Sequence, residues 1–293
     1  MHLIVDTIVA YRTDLSKWEY LGVALPEASR SPGTVFRPCV VYNARTALFI
    51  MWFEDRGDGL SNYQVATSST PQGPFTVRSG GSGQMPGSGK IGDFTIFVDD
   101  DARAYHVRTG SPSHPGHDIV LLDDSYTRPV RLVANFTTPG RAEGPTMFKR
   151  HGTYYVTAGS TCCACIGGSS VYVLSAPAPQ GPWTFQGDVG SNPTPFDPHS
   201  PHNFVTNAQG SAVFEAGSEF IYVGNQWNSG LAESPLGPRH HDLLYFGQLE
   251  FSTDNGAAAP RVLQMVWHDQ IALELPEFDI DRANAVRNAT AAL

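Results

Sequence analysis

The feature that most constrains the fold is an internal repeat of about 50 to 57 residues. VATSSTPQGPFTV (65–77) and VLSAPAPQGPWTF (173–185) match closely, and their aromatic residues, Phe75 and Trp183, lie 108 residues apart. Each segment is a short strand-like run, a polar turn and an aromatic residue that opens another strand. The repeat therefore predicts units that each contain several short strands. Two further segments fit the same spacing, LLDDSYTRPVRLV (121–133) and VAYRTDLSKWEYLG (9–22).

A second series of segments interleaves with the first. Each member is a polar turn followed by a strand rich in β-branched and aromatic residues: NARTALFIMWFE (43–54), DDARAYHVRTG (100–110), RHGTYYVTAGS (150–160) and EAGSEFIYVGNQW (215–227). Such units are typical of propeller blades, because the radial arrangement gives every blade a neighbour on both sides. Four full repeats and a partial one at the front predict an all-β fold, a five-bladed β-propeller.

The propeller is predicted to form a single domain over residues 1–276, followed by a C-terminal tail at 277–293. Its first blade is incomplete, because no inner strands precede VAYRTDLSKW, which forms the outer part of that blade. RVLQMVWHDQIALEL (261–275) is expected to complete the ring. Two explanations stay open: the first blade lacks an inner strand, or the sequence lacks its natural beginning.

The composition favours a neutral partner such as a sugar. The chain has 28 acidic and 19 basic residues, a net charge of −9, and no basic cluster, which excludes nucleic acid and anionic membranes as partners. No run of eighteen apolar residues occurs, so no membrane-spanning segment is predicted. The N-terminal MHLIVDTIVAYR has neither the basic region nor the apolar core of a signal peptide.

The four cysteines leave two alternatives open. TCCAC (161–165) contains Cys162, Cys163 and Cys165, but this spacing does not match the C-x2-C pairs of structural zinc sites. One alternative is a disulfide from Cys39 to a cysteine of this cluster in an oxidising compartment. The other is that all four are small buried residues.

Two carboxylates occupy similar places one repeat apart. Asp93, in GDFTIFVDDDARAY, and Glu143, in EGPTMFKRHGTYY, are 50 residues apart, and each precedes an apolar run and a polar turn. Because the inner strands of a propeller converge on the axis, neighbouring blades would present both acids to one axial pocket. Glycoside hydrolysis needs such a pair: one acid protonates the leaving oxygen, and a second carboxylate tunes it or acts as the base.

These segments resemble glycoside hydrolase family 43. DFTIFVDDDARAY is similar to the segment with the family's pKa-modulating Asp, and EGPTMFKRHGTYYV to the segment with its general-acid Glu. The branch that includes exo-β-1,3-galactanases is similar in FRPCVVYNARTALFIMW (36–52), GSTCCACIGGSSVYVLSAPAPQGPW (159–183) and YVGNQWNSG…HHDLLYFGQLEF (222–251). The similarity extends from about residue 9 to residue 275. It implies a five-bladed propeller, an inverting single-displacement mechanism, and a substrate that is a galactan or another plant-type glycan, cut from a chain end.

The resemblance assigns the general acid to Glu143 and the modulating role to Asp93, whose charge keeps Glu143 protonated by like-charge repulsion. The family's usual base is an Asp near the start of the first inner strand, which is absent here. The galactanase branch has a Gln in its place, and this sequence has SPHNFV (200–205), with Pro201 at that position.

Three hypotheses for the base stay open. His202 can hold or orient a water near neutral pH. Alternatively, another carboxylate, such as Glu54 or Asp55, takes the role. The third hypothesis is that the protein binds sugar without hydrolysing it. This alternative is motivated by Pro201 and by Phe36, which stands where many galactanases have a substrate-binding glutamate.

The predicted substrate-binding residues are Arg37, Trp52, Glu54, Gln226, Trp227 and His241. Each tryptophan has two interpretations, stacking on a sugar ring or packing in the core between blades. The resemblance implies no required cofactor and allows a calcium ion on the axis, for which His241 and its neighbours are candidates. It further implies a secreted monomer that acts on an oligo- or polysaccharide.

Overall fold

The computed structural model describes residues 20–57, 62–87, 91–110, 116–139, 142–160, 170–190, 206–216, 218–226, 244–253, 259–266 and 270–271. Regular structure in these residues consists of β-strands and one short 3₁₀ helix, Glu27–Ser29. The all-β prediction is therefore confirmed. No helix within these ranges is long and apolar enough to cross a membrane.

The strands form four antiparallel sheets, and each sheet is a meander whose strands follow chain order. Sheet 1 contains β1 (Val35–Asn43), β2 (Leu48–Asp55), β3 (Asn62–Ser68) and β4 (Thr76–Val77). Sheet 2 contains β5 (Phe94–Val98), β6 (Ala104–Thr109), β7 (His117–Leu122) and β8 (Pro129–Phe136). Sheet 3 contains β9 (Ala142–Arg150), β10 (Thr153–Ser160), β11 (Tyr172–Ala176) and β12 (Thr184–Asp188). Sheet 4 contains β13 (Thr206–Ala216), β14 (Glu219–Gln226) and β15 (Leu244–Gln248).

Both repeat series correspond to equivalent connections in successive sheets. The first series is the connection between the third and fourth strands, and the second is the hairpin between the first and second strands. The two most similar segments share their turn: Gly73 donates its amide to Thr70 O at 3.2 Å, and Gly181 to Ala178 O at 2.9 Å. Both glycines have positive φ, which a side chain would disfavour. The strand pattern predicted from the repeat is therefore confirmed.

The first strand of each sheet faces the first strand of the next. Strand β5 contacts both β1 and β9, and β9 contacts β13. This arrangement is propeller-like, with four blades in the described residues, each having its first strand innermost. The fifth blade stays a prediction. Most residues of the segments assigned to it, 9–22 and 261–275, lie outside the described residues.

The core lies between neighbouring sheets, as expected for blades packed face to face. Between sheets 1 and 2 the buried side chains include Trp52, Tyr63 and Phe94. Between sheets 2 and 3 they include Val107, Met147 and Val156. The cluster between sheets 3 and 4 also includes three buried residues beyond β15: Leu249, Val262 and Met265.

Candidate active site

Two of the predicted site residues, Asp93 and Glu143, lie at equivalent ends of neighbouring inner strands. Asp93 immediately precedes β5, and Glu143 is the second residue of β9, which packs directly against β5. Arg37 lies at the corresponding end of β1, on the other side of β5. The structure therefore places these three residues at the same end of the neighbouring inner strands β1, β5 and β9.

Arg37 and Asp93 form an ion pair between sheets 1 and 2. Arg37 Nε lies 3.7 Å from Asp93 Oδ1, and its Nη2 donates to Phe94 O at 3.5 Å. Arg37 has a φ of 54°, an uncommon value for a residue with a side chain. Backbone strain of this kind concentrates at functional sites. In this position the Arg37 side chain lies beside the Asp93 carboxylate rather than extending into solvent.

The main chain around Asp93 is held from two directions. Asp93 O accepts the amide of Thr109 at 2.8 Å, which extends the pairing of β5 and β6 by one residue. On the other side, Tyr63 Oη donates to Gly92 O at 2.5 Å and accepts from Gly92 N at 2.9 Å. Burial raises the pKa of Tyr63, and the charge of Glu54 raises it further, so the phenol keeps its proton.

Glu54 and Asp55 are buried at the end of β2, with 1% and 2% of their surfaces exposed. Glu54 Oε2 accepts from Arg56 Nη2 at 2.9 Å and from Arg56 Nε at 3.2 Å. Burial raises the pKa of Glu54 and the nearby charge of Asp93 adds to this effect, whereas Arg56 and Arg37 oppose it. Asp55 Oδ1 accepts the Gly57 amide at 3.0 Å. Neither carboxylate is open to solvent, which is unfavourable for a base that must hold a water.

Glu143 owes its setting to the Gly-Pro pair that follows it. Its partner across the sheet is Gly159, and the register between β9 and β10 shifts directly after this pair. Gly144 has a φ of 64°, so this irregularity uses a conformation that glycine adopts at low cost. The sequence EGP is therefore a bulge that sets the direction of the Glu143 side chain, rather than an ordinary turn.

Trp52 lies in the core between sheets 1 and 2 and has no exposed surface. Its Nε1 donates to Tyr126 O at 2.7 Å, and its ring contacts His106 edge-on at a centroid distance of 5.1 Å. Of the two interpretations that the sequence left open, this position agrees with core packing. Stacking on a sugar would require an exposed face of the Trp52 ring, and the ring has none in this position.

Several predicted residues fall outside the described part of the chain: His202, Trp227, His241 and, at the departure from the galactanase pattern, Pro201. Gln226 is the last residue of β14, where its backbone pairs with Thr206. Among the described residues no group of three or more His, Cys, Asp or Glu side chains could hold a metal ion. Cys39 carries a free thiol that accepts the amide of Ile96 at 3.4 Å, and burial raises its pKa.

The sequence did not indicate Tyr63 and Arg56 as site residues. Tyr63 hydrogen-bonds to the main chain of Gly92, beside Asp93, and Arg56 hydrogen-bonds to the buried Glu54 carboxylate. Tyr63 is the second residue of β3 and Arg56 follows β2, and neither position is marked by a motif. The signal that could have identified them is their position in the repeat: Arg56 follows the second strand of the sheet, and Tyr63 lies near the start of the third.

Comparison with known proteins places this geometry in a family. The family model "Glycosyl hydrolases family 43" matches residues 8–223. The chain belongs to glycosyl hydrolases family 43. The family indicated by the segments around Asp93 and Glu143 is therefore confirmed. No curated protein sequence matches the chain significantly.

Solved structures of this family share the fold. An exo-β-1,3-galactanase from Phanerochaete chrysosporium with galactose superimposes with a TM-score of 0.66 at 24% identity, covering 85% of this chain and 54% of that one. An exo-β-1,3-galactanase from Clostridium thermocellum gives 0.62 at 21% identity, with 85% and 53% covered. An α-L-arabinofuranosidase from the same organism gives 0.61 at 20%, with 86% and 80% covered. The chain thus spans about half the length of these two galactanases.

Proposed function

We propose that this family 43 protein is an inverting glycoside hydrolase that releases galactosyl residues from the end of a β-linked galactan or a related plant-type glycan. The observation that carries the proposal is the position of Glu143 and Asp93 at equivalent ends of contacting inner strands, with Asp93 oriented by Arg37. The similarity to galactanase structures and the acidic net charge of −9 support a neutral sugar as substrate.

Glu143 acts as the general acid in this mechanism. It donates its proton to the glycosidic oxygen as the bond to the anomeric carbon breaks. The negative charge of Asp93 favours the protonated form of Glu143, and Arg37 keeps the Asp93 carboxylate in place. A water attacks the anomeric carbon from the opposite face, so the released sugar has inverted configuration. We assign the base that takes the proton of this water to His202.

The first experiment measures products released from β-1,3-galactan and from nitrophenyl galactoside, arabinofuranoside and xyloside. Galactose release by the wild type is expected, with a loss of about 10²–10⁴-fold on galactan in Glu143→Gln. The loss on nitrophenyl galactoside is smaller, because a nitrophenolate leaves without a proton. Glu215→Gln, the same change at an exposed position of β13, is the control and keeps activity.

Two further measurements address the rest of the mechanism. Proton NMR of the first product detects α-galactose if the configuration inverts, and β-galactose would contradict the single displacement. Asp93→Asn is expected to move the alkaline limb of the kcat/KM profile to lower pH. The reason is that Glu143 loses its proton more easily without the neighbouring charge.

The second candidate is a carbohydrate-binding propeller without catalysis. It is favoured by Phe36, which places an apolar side chain where the galactanase branch has an acid. Folded protein that binds β-1,3-galactan but releases no sugar from any substrate would establish this alternative, and Glu143→Gln would then bind as the wild type does.

A further inference from the structure

Strands β1 and β9 contain the same backbone irregularity at the site end. In β1 the register with β2 shifts between Phe36 and Cys39, which leaves one extra residue on β1. In β9 the register with β10 shifts between Glu143 and Thr146, again with one extra residue on the inner strand. Both are therefore β-bulges at the start of an inner strand.

The residues in the two bulges correspond one by one. Arg37 and Gly144 both have positive φ, 54° and 64°, and each is followed by a proline. The residue before the bulge is Phe36 in sheet 1 and Glu143 in sheet 3. Because the backbone geometry is shared, Phe36 occupies in sheet 1 the place that Glu143 occupies in sheet 3.

The Phe36 side chain is partly exposed and lies beside a positively charged group. It is 36% exposed, although it belongs to an inner strand. The Arg56 guanidinium lies over the ring, 5.6 Å from its centroid, and this guanidinium is held by the buried Glu54 carboxylate at 2.9 Å. The support reduces the freedom of the ring, so less entropy is lost when a ligand covers it.

The neighbours of Phe36 connect it to the acid pair. Its partner across the sheet is Glu54, and the next residue, Arg37, forms the ion pair with Asp93. A flat apolar surface thus lies on the same rim as the charged groups. A pyranose ring is complementary to this surface. The C–H bonds on its face can pack against the phenyl ring, and the hydroxyl groups at its edge can bond to the charged groups.

We propose that Phe36 is a specificity-determining residue that stacks on the apolar face of a neutral sugar ring at the site of Glu143 and Asp93. The proposal rests on the proposed function for the presence of a sugar at this site. A phenyl ring makes no hydrogen bond, so it contributes binding without selecting hydroxyl groups on that side of the sugar. The acid of the galactanase branch is therefore replaced by a contact of different chemistry.

The test measures the dissociation constant of β-1,3-galactotriose by calorimetry in the Glu143→Gln variant, in which turnover is expected to be about 10²–10⁴-fold slower. Adding Phe36→Ala is expected to weaken binding about two- to tenfold. Phe36→Tyr restores it, because the ring is retained. Tyr42→Ala is the matched control, since Tyr42 is a 39% exposed aromatic residue at the other end of the same strand.

Phe36→Leu is measured as a second variant, with circular dichroism to establish folding, because it keeps apolar volume but lacks the flat ring. Weakened binding in both Phe36→Ala and Phe36→Leu, but not in Tyr42→Ala, supports stacking. Equal affinities in all variants overturn the proposal while leaving the hydrolase intact. No binding by the folded Glu143→Gln parent overturns the proposed function as well, which is a distinguishable result.

Discussion

The most consequential interaction beneath the site is the buried pair of Arg108 and Asp118, and replacing Arg108 by Met is predicted to be strongly destabilising. The two residues are paired across β6 and β7, their side chains are 0% and 1% exposed, and Arg108 Nη2 lies 2.9 Å from Asp118 Oδ2. The same Nη2 donates to Pro86 O at 2.7 Å. Arg108 also pairs with Phe94, the residue after Asp93.

Removing the guanidinium removes the contact that Arg108 makes with the buried Asp118 carboxylate. Asn135 Nδ2 still donates to Asp118 Oδ1 at 2.8 Å, but this amide carries no charge. Breaking one side of a buried pair costs about 3–5 kcal/mol of unfolding free energy. For a protein of this size that corresponds to a fall of roughly 5–8 °C in Tm. Thermal unfolding followed by circular dichroism measures the change.

Arg45→Met is the matched control, because Arg45 also pairs with an aspartate, Asp124, but with side chains that are 72% and 81% exposed. An exposed pair of this kind contributes about 0–1 kcal/mol. The double variant Arg108→Met/Asp118→Asn is expected to recover part of the loss, since no uncompensated charge remains. If Arg108→Met lowers Tm no more than Arg45→Met does, the argument from buried charge is refuted.

Three further predictions concern neighbouring contacts. Tyr63→Phe removes both hydrogen bonds to Gly92 and is expected to lower kcat severalfold with KM little changed, measured by steady-state kinetics; an unchanged kcat would contradict the positioning role. Trp52→Ala is expected to cost about 3–5 kcal/mol in urea unfolding, because Trp52 is a core residue; unchanged stability with lost sugar affinity would instead indicate stacking. Lys149→Met removes a 2.8 Å contact to Asp99. Burial favours a raised Asp99 pKa, but hydrogen bonds from Lys149, Tyr154 and the Asp100 amide hold the pKa below 3.8. The stabilisation is therefore present above pH 3.8 and lost as the pH falls through the lowered pKa, so wild type and variant should converge in thermal melts at low pH.

The strands, and the positions of Asp93 and Glu143 at the start of inner strands, could be predicted from the sequence because both are marked locally. Polar turns separate the strands, and the repeat places Asp93 and Glu143 before equivalent apolar runs. The position of Trp52 could not be predicted in this way. Six consecutive residues of β2, from Ile50 to Asp55, are buried, so alternation along the strand does not distinguish the core side from the site side.

The bulge in β1 shows a different reason for failure. Glycine followed by proline marks the β9 bulge in the sequence, but the β1 bulge uses Arg37, whose positive φ no propensity predicts. The equivalence of Phe36 and Glu143 therefore became visible only from the register. The sequence left Glu54 open as an alternative base, and its buried contact with Arg56, two residues further on, could not be predicted because such pairs are also common on surfaces.

Strand β5 is linked by an ion pair at each end, to sheet 1 at its start and to sheet 3 just beyond its end. At its start Asp93 is joined to sheet 1 through Arg37 at 3.7 Å, and just beyond its end Asp99 is joined to sheet 3 through Lys149 at 2.8 Å. Sheet 2 is therefore joined by ion pairs to both neighbouring sheets, to sheet 1 near the site and to sheet 3 at the opposite end of β5. Because both contacts are ion pairs, we expect rising salt concentration to weaken them. Turnover should then fall at a lower salt concentration than the one that unfolds the protein.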